Sequence, residues 1–260
     1  MIKISSRTRA ALIHLSISGV VVLIILYLVY GLWYARPFAQ ALGVSEIFLM
    51  ILAVDLCLGP LLTAVVYKVG KPSLKFDLSV IVCLQLAAII YGVYTVAQAR
   101  PAYLVFSKDR FDLVQAHEVV RLVGTSTQPV LALQSPWAQP WFGPKLTAAA
   151  MPATIPENYP LLNLLTSSAM SGGADVQNVL EQHRPYAATL ALIQKQGIAL
   201  AGVQLKASVS ASDAALWRTA LAKYPANSLA LPLKIKYTVY TVIVSPDSGV
   251  VLEIVPVNIF

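Results

Sequence analysis

Val54-Asp55-Leu56-Cys57-Leu58-Gly59-Pro60 lies within an apolar run that extends from Ile47 to Val69. A helix of about 20 apolar residues, at about 1.5 Å per residue, is long enough to cross a hydrocarbon layer of about 30 Å. Two further runs of this kind flank it, Ala11 to Tyr34 and Leu78 to Ala97. The first is too long for a signal-peptide core and no small-residue cleavage site follows it, so it reads as an uncleaved signal anchor. Residues 1–99 are thus predicted to form a membrane domain of three transmembrane α-helices, at about 11–34, 47–69 and 78–97. Past Arg100 the composition changes to turns, prolines and scattered charge, and residues 100–260 are long enough to bury a core of their own. The chain is 57% hydrophobic and only 12% charged, whereas charge in soluble domains runs near a quarter of residues.

The position of the charge predicts orientation. Lys3, Arg7 and Arg9 precede the first run, and Lys68, Lys71 and Lys75 lie between the second and third. The loop at 35–46 carries Arg36 against Glu46. The positive-inside rule then places the N-terminus in the cytoplasm and the C-terminal domain on the far side, the periplasm of a bacterial inner membrane. Tyr27, Tyr30, Trp33 and Tyr34 would form an aromatic belt at the outer end of the first span. Within the net charge of +7, these clusters read as orienting the helices rather than as binding a partner. No basic stripe is interleaved with aromatics, so the bilayer and not nucleic acid is the expected partner. Cys57 and Cys83 both fall in apolar runs, which gives no disulfide framework.

Asp55 is the ionisable residue well inside a span, where such groups are costly and functional candidates by default. Pro60 removes a backbone donor and disfavours a straight helix, and Gly59 permits close backbone approach. Counting rise per residue puts Asp55 about 20 Å from the cytoplasmic end of its helix, level with Tyr91 and Tyr27, with Gln85 nearer the cytoplasm. Three readings follow. The first is a packing residue hydrogen-bonded to Tyr91 or Tyr27. The second is a polar contact for a partner's transmembrane helix. The third, ion or proton transport, lacks the second acidic group that a relay uses.

The C-terminal part reads as α+β. Tyr103–Phe106 and Phe111–Val114 flank the polar loop Ser107-Lys108-Asp109-Arg110, a hairpin signal. Pro129 to Pro160 is proline-rich and, with Trp137, Trp141 and Phe142, reads as an ordered loop wrapping the domain or as an aromatic surface for a partner. Helices are predicted near Glu157–Met170, from Pro185 to Gly197, and after Ser210-Ala211-Ser212-Asp213, with Leu216, Trp217, Ala220, Leu221 and Tyr224 on one face. Leu233–Val244 reads as one strand, followed by the turn Pro246-Asp247-Ser248-Gly249 and a returning strand Val250–Val255.

No chemistry is legible. His14, His117 and His183 are not at ligand spacing, and neither a HExxH nor a cysteine cluster occurs, so no metal is expected. Walker A, Rossmann and GxSxG patterns are absent, and no cofactor is expected. Asp55 and Asp77 lie about 20 Å apart in depth, too far for an aspartyl dyad. Asp109, Asp112 and Glu118 sit among basic neighbours and read as solvated ion pairs. The expectation is a protein that is not an enzyme.

Asp55-Leu-Cys-Leu-Gly-Pro-Leu-Leu-Thr63, Leu74-Lys-Phe-Asp-Leu78, Gln85, Tyr91-Gly92 and Arg100-Pro-Ala-Tyr-Leu-Val-Phe106 with Asp109-Arg-Phe111 resemble the TfpX/TfpZ family of type IV pilin accessory proteins. The resemblance is densest over residues 45–115 and continues through Phe142-Gly-Pro144, Arg184-Pro-Tyr186 and Leu231-Pro-Leu233. It implies a chaperone-like accessory protein of type IV pilus biogenesis, promoting the stability or assembly of a specific major pilin. The candidate partner contacts are Asp55, Gly59, Pro60, Gln85, Tyr91, Tyr103, Phe106, Arg110 and Phe111. The competing class is a membrane-anchored periplasmic ligand-binding, sensory or transport component. The short 70–77 loop leaves no room for a cytoplasmic output domain.

Overall fold

The computed structural model describes residues 5–125, 128–150, 164–165, 168, 175–206, 208–236 and 238–260. The chain divides into two compact units, Met1–Ala97 and Gln98–Phe260.

The first unit is helical. α1 (Ser6–Leu26) starts on the side chain of Ser5, which accepts from the Thr8 amide, and runs on as a π-helical turn over Tyr27–Trp33. The short α2 (Phe38–Ala41) precedes α3 (Val44–Val66), and α4 (Leu74–Gln98) follows. Ser6–Trp33, Val44–Val66 and Leu74–Gln98 are each long and apolar enough to cross a membrane. Ile17, Leu23, Leu61, Val65, Leu84 and Ile90 are exposed on these helices. An apolar surface of that extent is what lipid covers. The inner face is a core of Val22, Ile25, Val29, Trp33, Tyr34, Phe48, Leu52 and Ala97. Trp33 and Tyr34 therefore belong to the interior and not to an aromatic belt. The π turn adds a residue to the helix at this point and re-phases the side chains after it. Tyr34 is buried, and its hydroxyl donates to the Val96 carbonyl at 2.8 Å. Tyr27 remains outward-facing.

The second unit is an α+β domain. Among its described residues, β1 (Pro101–Ser107) and β2 (Arg110–Gln115) form the expected hairpin, with Lys108 at positive φ in the turn. β3 (Val120–Gly124) and β4 (Pro129–Leu133) make a separate two-stranded sheet. β5 (Lys145–Ala149) pairs parallel with β1 and antiparallel with β6 (His183–Arg184). β7 (Ile198–Ala199), β8 (Leu229–Ile235), β9 (Thr238–Val244) and β10 (Val251–Val255) complete the main sheet in the order β10-β9-β8-β2-β1-β5-β6, with β7 on β8. β8 lies parallel to β2. The helices are α5 (Leu190–Gln196), which a 3-10 turn over Tyr186–Thr189 leads into, and α6 (Ala211–Lys223). α6 is capped by Ser210, whose hydroxyl accepts from the Asp213 amide. Trp217 and Ala220 bury against Ala230, Ile243 and Val255, while Leu216, assigned to the same face, is exposed.

The structure corrects three further expectations of this domain and leaves a fourth outside the described residues. Leu233–Val244 is not one strand: the chain turns at Lys236, which takes a positive φ of 53°, and the run pairs with itself as the β8–β9 hairpin. The turn has no Gly, Asn or Asp to announce it in Ile235-Lys236-Tyr237-Thr238. The proline-rich stretch is not simply a loop, since β4 and β5 fall within it. The helix expected near Glu157–Met170 lies almost wholly outside the described residues. Finally, Asp112 is not solvated: it is buried in β2, with Arg110 Nε at 3.5 Å. Burial, offset in part by Arg110 and Lys234, pushes its carboxyl from 3.8 up to about 6.

The turn at Pro246–Gly249 does form. Gly249 has a φ of +68°, a left-handed geometry that glycine adopts without strain, and its carbonyl accepts from the Tyr186 hydroxyl at 2.6 Å. Burial pushes the Tyr186 hydroxyl pKa upward.

Because folding raises the Asp112 pKa, the folded state holds this proton more tightly than the unfolded chain. The contribution is fully present below about pH 4 and is lost as pH rises through about 6. Asp112→Asn is expected to remove a fall in stability of about 2 to 3 kcal/mol between those pH values. Thermal unfolding of the full chain, followed by near-ultraviolet circular dichroism at several pH values, checks this. An unchanged pH slope in the variant contradicts it.

Candidate functional site in the membrane unit

Gly59 and Pro60 put a small, donor-poor segment in α3, and both residues are buried. A Cβ on Gly59 would lie 2.7 Å from Cδ of Gln85, so the missing side chain is what lets the Gln85 amide approach α3. Gln85 Nε2 donates to the Asp55 carbonyl at 3.0 Å. Its Oε1 lies 2.8 Å from His14 Nε2, and His14 Nδ1 lies 2.6 Å from the Thr63 hydroxyl.

The chemistry of the acceptors orders these bonds. The Asp55 carbonyl only accepts, so the Gln85 amide nitrogen faces it. Gln85 Oε1 then accepts from His14 Nε2–H, and in a neutral ring Nδ1 accepts from the Thr63 hydroxyl. One side-chain network thus ties α1, α3 and α4 together, each polar group finding a partner away from water.

The Asp55 carboxylate is left out of that network. Its Oδ2 is buried and makes no hydrogen bond among the described residues. Neither Tyr91 nor Tyr27 approaches it: both are largely exposed, at 73% and 68%, so the tie predicted for Asp55 is absent. The depth count also shifts. Asp55 stands midway along Val44–Val66, not towards one face, and Gln85 is level with it. Both belong to the wall of a groove of about 620 Å³ within this unit, together with Arg9, His14, Ile17 and Leu86. The groove opens among α1, α3 and α4, is largely apolar, and has Arg9 and Ser6 at one end. The arrangement can seat an elongated apolar body and offer one acidic group at mid-depth.

The remaining sequence candidates divide. Gly59, Pro60 and Gln85 meet Asp55 as just described, and Tyr91 points away. Phe106 and Phe111 are buried and pack edge to face at 5.1 Å. They support the β1–β2 hairpin and have no surface to present. The Tyr103 hydroxyl donates to Gln139 Oε1 at 3.2 Å, and burial raises its pKa. Arg110 is half exposed beside Asp109 and Asp112. His14 and Thr63 were not singled out as contact residues. A histidine eight residues into a long apolar helix was the available signal. Among the described residues, no group of three or more His, Cys, Asp or Glu could hold a metal ion.

Fold and site together define a membrane-anchored α+β protein with a largely apolar groove among its helices, whose wall carries Asp55, Gln85 and His14. A family model described as "Fimbrial assembly protein FimB" matches residues 2–43. The fimbrial assembly proteins of Dichelobacter nodosus serogroups I and E1 are 33% and 34% identical over 110 residues, covering 42% of this chain and 43% of each relative. The fimbrial assembly protein of serogroups C1 and C2 of that organism is 32% identical over 110 residues, covering 42% of this chain and 84% of the relative. The chain belongs to this fimbrial assembly protein family. The match spans less than half the length of the serogroup I and E1 relatives. No solved structure matches the chain.

Gly59→Ala is expected to displace the Gln85 amide, leaving buried polar groups unpaired at a loss of about 1 to 3 kcal/mol. In detergent-solubilised protein the unfolding temperature should fall. The double variant Gly59→Ala/Gln85→Ala should be less damaged than the sum of the single changes. Strict additivity contradicts the contact.

Proposed function

We propose that this protein is an inner-membrane accessory factor of type IV pilus biogenesis, of the TfpX/TfpZ kind, acting on a specific major pilin. It promotes the stability or assembly of that pilin in a chaperone-like way and performs no covalent chemistry. The N-terminus is cytoplasmic and the domain from Gln98 onward is periplasmic, as the basic residues before α1 and between α3 and α4 favour.

The observation that carries this reading is the groove. A subunit held in a membrane before assembly needs its apolar helix shielded from unproductive association, and the groove supplies a largely apolar trough among α1, α3 and α4. Asp55 in the groove wall, with its Oδ2 making no hydrogen bond among the described residues, gives that trough a polar address that favours a partner carrying a donor at mid-depth over an all-apolar helix. The names of the relatives, which are fimbrial assembly proteins, support the same reading. The domain beyond the helices serves as the second contact, to the part of the pilin outside the bilayer.

Cross-linking and pull-down of the tagged protein, in a strain carrying it and its cognate pilin, should recover that pilin. Asp55→Leu should reduce pilin level and surface piliation several-fold while the protein itself accumulates normally. Recovery of no pilin, together with normal piliation in a deletion strain, overturns the proposal.

A further inference from the structure

We propose that the loop bearing Trp137, Trp141 and Phe142 is a membrane-interface foot, which inserts its aromatic rings into the headgroup layer and seats the sheet domain on the bilayer.

The loop is built around Arg100. This side chain is fully buried. Its Nε donates to the Pro140 carbonyl at 2.9 Å, and Nη2 donates to the carbonyls of Pro136 and Gln139 at 2.9 and 2.8 Å. The guanidinium carbon stands 4.5 Å from the centre of the Trp141 ring. Trp141 stacks on Trp137 at 5.6 Å with 29° between planes. Gln139, also buried, holds the loop from the other side by accepting from the Tyr103 hydroxyl. The aromatic group is therefore a fixed platform.

Its outer surface is apolar and open to the surroundings. Trp137 and Trp141 are 39% and 41% exposed, and Phe142 is 73% exposed. Gln134-Ser-Pro-Trp-Ala-Gln-Pro-Trp-Phe-Gly-Pro144 contains no charged residue. Such a surface suits the headgroup–acyl boundary, where amphipathic aromatic rings concentrate.

The chain's own connectivity selects lipid as the occupant. α4, 25 residues from Leu74 to Gln98, rises about 37 Å, more than a hydrocarbon core of about 30 Å, so its end reaches the headgroup layer. Arg100 follows two residues later, at most about 7.6 Å along the chain. The segment between is bonded into the domain. Gln115 Nε2 donates to the Ala99 carbonyl at 2.5 Å, the Ala116 amide donates to the Arg100 carbonyl at 2.9 Å, and the His117 ring lies 3.3 Å from the Gln98 carbonyl. A platform clamped to Arg100 is thus confined to the neighbourhood of the bilayer surface from which α4 emerges. Val250, beyond β9, stands at the sheet end remote from Arg100, as the pairing of β1, β2, β8 and β9 dictates.

Full-length protein in phospholipid nanodiscs tests this. In a Cys57→Ser/Cys83→Ser background, a nitroxide is attached at Phe142→Cys and, separately, at Val250→Cys. The ratio of collisions with oxygen, which partitions into lipid, to collisions with a water-soluble nickel chelate is expected to be several-fold higher at position 142. A second readout leaves Phe142 unchanged. Quenching by lipids brominated near the headgroup should drop markedly in Trp137→Phe/Trp141→Phe relative to wild type. Equal collision ratios at the two sites, or equal quenchable emission in the two chains, overturns the proposal. So does a label at 142 that is open to nickel alone and becomes shielded when pilin is added, which assigns the loop to protein contact.

Discussion

The Gln85 amide seated against Gly59 is the contact on which the membrane unit depends. Apolar helices in lipid gain little from burying one another, because lipid tails are as apolar as leucine. Specific geometry has to come from close approach and from polar groups with no water to turn to. Gly59 supplies the approach and Gln85 the polar group, which reaches Asp55 on one side and His14 on the other. Thr63 completes the link to α1. Tyr34 ties the far end of α4 through the Val96 carbonyl, and this bridge fixes its middle against α3 and α1.

The same network explains why Asp55 is available. Its backbone carbonyl is used in the bridge, while the residue lies in the groove wall with its Oδ2 buried and lacking a hydrogen bond among the described residues. A single residue thus shares in holding the helices and in marking the trough. In the second unit Arg100 plays a comparable part: one buried cation gathers the carbonyls of Pro136, Gln139 and Pro140 and orders a loop that has no regular sheet pairing of its own.

Much of this is legible in the sequence, for physical reasons. Three apolar runs of membrane length, the Lys108-Asp109 turn and the Ser210 cap are local signals, and local signals survive reading one segment at a time. The Asp55–Gly59–Pro60 cluster is conspicuous because polar and helix-breaking residues are rare in an apolar run. What escapes is non-local. Nothing near Asp55 tells that Gln85 and His14, 30 and more positions away, meet at its level, and depth counted from run boundaries errs because α3 spans Val44–Val66 rather than Ile47–Val69. The turn at Lys236 escapes because its residues carry no turn chemistry, and the burial of Asp112 because a carboxylate among basic neighbours looks the same whether wet or dry. Phe106 and Phe111 read as contact residues for want of any sign of which face of the hairpin is covered.

The proposed function requires the groove to receive a pilin helix, and site-specific photo-cross-linking in living cells tests that most directly. A photoreactive amino acid is placed at Leu86, in the groove wall, and at Leu84, exposed on the same helix but outside the groove. A cross-link to pilin is expected from position 86 and none, or far less, from position 84. Equal yields from the two positions, or no pilin adduct from position 86 in cells that assemble pili, would contradict it.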